Sequence, residues 1–123
     1  MKRDMELVRQ ILLTAESTRD AHAVEGYDRE AAAYHVALLK EAGLIEALVA
    51  KDQHGHLNRF VVRSLTWAGH DFLDAARSDT VWRTAKEKIL TPGVSWTFDL
   101  LKATLKALAA QQLAKIGLPP IHE

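Results

Sequence analysis

Six histidines are spread through the 123 residues. Two of them, His54 and His56, flank Gly55 in an H-x-H order that can grip a transition metal. The neighbouring sequence supplies no third ligand, so the pair reads as a solvated turn. His35 sits in an apolar helical stretch and His70 follows Gly69; both read as packed, hydrogen-bonded histidines rather than catalytic bases. Asp71 and Asp74 stand one helical turn apart, a spacing open to paired acid–base carboxylates but ordinary on a solvated helix face. The sequence holds no Gly-rich phosphate loop, nucleophile elbow or zinc-ligand spacing. It has no cysteine, hence no thiolate chemistry and no disulfide framework. These residues predict a protein that is not an enzyme and that holds neither cofactor nor metal.

The remaining chemistry is positive charge placed to meet DNA. Arg29 and Lys40 fall in one helical stretch, and Lys51, His56, Arg59 and Arg63 fall on the hairpin after it. In the extended return strand Arg59, Val61 and Arg63 are expected on one face and Phe60 and Val62 on the other. The electrostatic footprint is small. The stretch from Asp28 to Gly43 has two basic against three acidic residues, and its Ala32, Ala33 and Ala37, expected to be exposed, offer nothing to base edges. Sixteen basic and sixteen acidic residues cancel over the whole chain, so there is no global pull toward a polyanion. Arg59 and Arg63 read more simply as the wet face of a hairpin.

The elements that must position these residues are legible in the local patterns. Asp28 can cap a helix whose apolar stripe is expected at Ala31, Tyr34, Leu38 and Ala42, with His35 and Leu39 beside it. Gly43 suits a left-handed helix ending, after which Leu44 packs back on Leu39. A strand from Ile45 to Ala50, a turn over Lys51 to His56 and a return strand follow. Upstream, Asp4 to about Glu16 forms an amphipathic first helix, and His22-Ala23-Val24 is placed to add a short third strand. Downstream, Thr66 caps a helix over Trp67 to Arg77, with Trp67 expected in the core. Ser78-Asp79 restarts a helix to about Leu90.

Thr91-Pro92-Gly93 is the clearest break. It divides residues 1–91, one domain, from residues 92–123, an appended amphipathic helix with a short tail. That helix is expected from about Ser95 to Ile116, ended by Gly117 and Pro119-Pro120. Phe98, Leu101, Leu105 and Leu108 make a ridge along it, expected to meet a partner surface and most simply a second copy in a homodimer. No apolar run approaches the roughly 20 residues of a membrane span, which points to a soluble, cytoplasmic protein without a membrane partner.

Three segments, M-K-R-D-M-E-L-V-R-Q-I-L-L, G-Y-D-R-E-A-A-A-Y-H-V-A-L-L-K-E-A-G-L-I-E-A and L-T-W-A-G-H-D-F-L-D-A-A-R-S-D-T-V-W-R-T-A-K-E-K-I, together resemble an uncharacterised bacterial and prophage family, domain-of-unknown-function family 2513. The resemblance covers Met1 to Ile89. It implies a small winged-helix-like protein of a kind carried on phages and mobile elements, and it brings no activity and no catalytic residues. The fold expected is therefore α+β, a winged-helix-like domain with an appended helix. Two functions follow: a regulator that binds DNA through helix 28–43 and the hairpin, or an adaptor or inhibitor that binds a host or phage protein and no DNA.

Overall fold

A computed structural model of the chain describes residues 1–89, 93 and 97–115. Among these residues the architecture is α+β, with five helices and one two-stranded antiparallel sheet: α1 (Met5–Ser17), α2 (Arg29–Glu41), β1 (Ile45–Lys51), β2 (Leu57–Leu65), α3 (Trp67–Ala76), α4 (Asp79–Ile89) and α5 (Phe98–Lys115). The chain divides into two compact units, Met1–Leu73 and the residues from Asp74 onward. The division falls within α3. The reason is that the apolar face of α4, with Val81, Trp82 and Ala85 buried, belongs with α5. Gly93, the one described residue of that break, has φ +86. Pro92, Ser95, Ile116, Gly117 and Pro119-Pro120 lie outside the described residues.

In the first unit α2 packs on both strands and on α1, and α1 also packs on β2. Leu7, Ile11, Leu12, Val36 and Val62 are almost wholly buried there. Asp4 caps α1 by accepting the N–H groups of Glu6 and Leu7, and Asp28 caps α2 by accepting that of Ala31, so orphan donors of each first turn are satisfied. The stripe of α2 is rotated from the one its larger side chains suggest. Ala32, Ala33, His35, Val36 and Leu39 are buried, whereas Ala31, Tyr34 and Leu38 are half-buried and Ala42 is exposed. The run A-A-A-Y-H-V-A-L-L is apolar almost all round, so periodicity alone does not fix its inner face. The inner face combines two alanines with His35, Val36 and Leu39.

The ending of α2 follows from Gly43. With φ +79, it lets its own N–H reach the carbonyl of Lys40 and the Leu44 N–H reach that of Leu39, each at 3.0 Å. Those are the two bonds of a Schellman ending, and Leu39 and Leu44 are both buried. Thr66 then ties the second strand back to this corner: its N–H donates to Leu44, and its hydroxyl donates to the Gly43 carbonyl at 2.6 Å while accepting the Gly69 N–H at 3.1 Å. Gly69 lies so near this corner that a Cβ on it would run into the Leu44 carbonyl.

The sheet carries two irregularities. Register shifts between Glu46 and Ala47 and between Ala50 and Lys51 leave Arg63 and Asn58 as extra residues on β2. Such bulges re-aim the side chains around them. Phe60 and Val62 point inward as expected, but the bulge at Arg63 breaks the alternation, so that Leu65 and not Ser64 is the next buried residue. The expected third strand reduces to one bridge, Ala21 to Val62, with both bonds made at 3.1 and 2.9 Å.

Trp67 is not a core residue. It is 90% exposed, whereas Trp82 is buried. Thr66 caps α3, so Trp67 stands at the first helical position, where the helix start turns it outward.

Candidate functional site

Most polar groups singled out in the sequence are committed to holding the fold. His35 is 1% exposed. Its Nε2 accepts the Asp4 N–H at 2.8 Å and its Nδ1 lies 2.8 Å from the Ala31 carbonyl. An acceptor at Nε2 requires the proton on Nδ1, so the ring is a neutral link from α2 to the start of α1. His70, by contrast, is exposed, because Gly69 faces the corner and its neighbour turns away. Asp74 is held by Arg77 at 3.0 Å.

At the hairpin tip, Asp52 accepts the N–H groups of His54 and His56 at 2.8 and 3.0 Å. The bond from His56 holds its carboxyl below the usual carboxylate range against an opposing effect of desolvation, with smaller help from the His54 bond and the nearby His56 ring. Gly55, at φ +80, completes the turn. The rings of His54 and His56 lie 6.4 Å apart. No cluster of three metal-ligating side chains occurs among the described residues.

The six candidate cations are separated into four settings. Lys40 is exposed on the last turn of α2, about 16 Å along the helix from Arg29. Arg63 sits at its bulge with Nε 3.6 Å from the Asp20 carboxylate. The His56 ring lies 3.7 Å from Asp52, and Lys51 is exposed beside that turn. Arg29 and Arg59 are brought together. They line one cavity of about 380 Å³ with His22 and Asn58 on its polar side and Leu48, Phe60 and Val61 among its apolar walls.

This cavity is built by three local features. The cap at Asp28 places Arg29 at the first position of α2. The bridge at Ala21 fixes the segment carrying His22 beside β2. The bulge at Asn58 sets the register of Arg59 opposite Ala50. None of the residues lining it is a carboxylate. Among the described residues neither arginine has an ion-pair or hydrogen-bond partner. His22 was missed in the sequence as a site residue because only the bridge at Ala21 brings it near Arg29.

The second candidate surface is changed by the structure. Leu101 and Leu105 are fully buried, Phe98 and Leu108 half-buried, and Leu100 is 43% exposed. Since α5 packs on α4, the middle of the expected ridge is core and does not stand free for a partner. Among the described residues, the large apolar side chains most open to water are instead Trp67 at 90%, Met1 at 67% and Leu48 at 56%.

Comparison with known proteins adds relatives. A family model described as hypothetical protein, DUF2513, matches residues 2–95. An uncharacterized protein of Haemophilus influenzae is 38% identical over 122 residues, which span 93% of this chain and 100% of that protein. No solved structure matches the chain. No described helix is long and apolar enough to cross a membrane.

Proposed function

We propose that this chain, which belongs to the DUF2513 family, is a non-catalytic regulatory protein that binds duplex DNA with a winged-helix-like first unit. The observation that carries the reading is the pairing of Arg29 and Arg59 across one cavity, both without an anionic partner among the described residues. The bridging Ala21, the helix and the hairpin follow one another in the chain in an order compatible with a recognition helix and a wing lying side by side. In that arrangement the start of α2 addresses the groove and the hairpin lies on the adjacent backbone. Arg29 and Arg59 then take neighbouring phosphates, with Lys51 at the tip reaching farther along the strand. The exposed Glu30 and Glu41 of α2 and the half-buried Ala37 are poor readers of base edges. Phosphate contact therefore dominates, and sequence preference is modest. Fluorescence anisotropy of labelled mixed-sequence duplexes at low salt tests this: saturable binding is expected, and its absence at protein concentrations well into the micromolar range removes the reading.

A protein-docking function is the second reading, supported by Trp67. Tryptophan is among the residue types that most often dominate protein interfaces, and winged-helix folds serve both uses. Under this reading Trp67→Ala abolishes capture of a partner from lysate, nuclease treatment leaves that capture intact, and Arg29→Gln has no effect on it.

A further inference from the structure

The cavity holding Arg29 and Arg59 has more structure than a phosphate backbone needs. Backbone phosphates are met by cations on an open surface, whereas here the cations stand over a concave apolar wall that includes Leu48 and Phe60. Leu48 is 56% exposed although it lies mid-strand on β1, so part of that wall faces water. Ligand sites of this kind pair an apolar surface with a few convergent polar groups. The convergent groups here are two guanidinium ions unpaired among the described residues, an imidazole and the Asn58 amide, with no carboxylate among the lining residues. Guanidinium pairs bind phosphate and carboxylate through forked hydrogen bonds, and the apolar wall favours a flat or aliphatic body attached to that anion. The volume, about 380 Å³, suits a molecule of metabolite size.

We propose that this cavity is a binding site for a small organic anion, a phosphate or carboxylate carrying an apolar body, and that its occupancy releases DNA. The second half rests on the DNA-binding reading, because the ligand neutralises the same Arg29 and Arg59 that meet the backbone. The first half stands independently of it.

The test uses the full chain and phenyl phosphate as probe, followed by amide chemical shifts and by calorimetry. Saturable shifts are expected at Leu48, Arg59, Phe60 and Val61. Inorganic phosphate, which lacks the body, and benzyl alcohol, which lacks the charge, should each bind at least tenfold more weakly. The double variant Arg29→Gln with Arg59→Gln should lose at least tenfold in phenyl phosphate affinity with an unchanged thermal melt, both side chains being exposed. Equal affinity for phenyl phosphate and inorganic phosphate, or equal affinity of the double variant and the unmodified protein, overturns the site. Phenyl phosphate at saturation should weaken duplex binding at least tenfold; duplex affinity that is unchanged at saturation overturns the release of DNA. Phenyl phosphate binding by a protein that binds no duplex at all defeats the DNA reading and the release mechanism, and leaves the anion site standing.

Discussion

His35 shows how a residue suited to chemistry is used for structure. Its two ring nitrogens are both engaged, one by a backbone donor of α1 and one with a carbonyl of α2. Replacing it with alanine strips the Asp4 N–H of its acceptor and opens a void, so His35→Ala should lower stability by about 2–4 kcal/mol. Chemical denaturation measures this, and a midpoint within error of the unmodified protein would contradict the linkage. Asp52 acts the same way at the hairpin tip. Its carboxyl ionises more readily in the folded protein than in the unfolded chain. The order it lends the turn is therefore fully present above the ordinary aspartate value of about 3.9 and is lost as pH falls through the lower folded value. The His54 and His56 amide shifts should titrate together at that lower pH, and in Asp52→Asn that acid titration should vanish. A midpoint at or above the ordinary value would count against the two bonds.

At the scale of elements, the two glycines around the α2 corner separate two causes of sensitivity. Nothing lies within reach of a Cβ at Gly43, so Gly43→Ala pays only for its positive φ, about 1 kcal/mol. At Gly69 a Cβ meets backbone, which cannot swing aside, and Gly69→Ala should cost more than Gly43→Ala in the same thermal melts. The reverse order would show that α3 is not set against Leu44 as described. The first glycine was readable in the sequence, because a helix ending writes itself locally as A-G-L after a periodic stretch. The second was not, because it answers to a residue 25 positions earlier in the chain. The inner face of α2 and the fate of α5 failed to show for the same reason. An all-round apolar helix has no preferred side until its neighbours are in place, and a ridge on α5 does not say whether it meets α4 or another molecule. With Leu101 and Leu105 buried, Leu101→Ala should destabilise the second unit by about 2–5 kcal/mol. Hydrogen exchange across α4 and α5 would register that loss. A folded variant with unaltered protection there would restore the ridge as a free surface.

For the whole molecule, composition set a limit that the structure refines. A neutral chain has no long-range attraction to DNA, so any such affinity must come from local arrangement. Six cations were picked out by type and by position on a helix or hairpin. Folding sets two of them beside carboxylates, Arg63 by Asp20 and His56 by Asp52, stations Lys40 at the far end of α2, and gathers Arg29 and Arg59 at one cavity. Spacing in the sequence cannot reveal that selection, since 30 positions separate the two arginines.

Salt dependence of duplex affinity tests this selection most directly. For each protein the slope of log affinity against log salt is measured by anisotropy, in the unmodified chain, in Arg29→Gln with Arg59→Gln, and in Arg63→Gln. Each phosphate contact contributes about 0.9 to the slope. The double variant should therefore lose about 1.8, whereas Arg63→Gln should stay close to the unmodified protein. Equal slopes for the unmodified protein and the double variant, or a larger loss from Arg63→Gln, would contradict the placement of the DNA contact at Arg29 and Arg59.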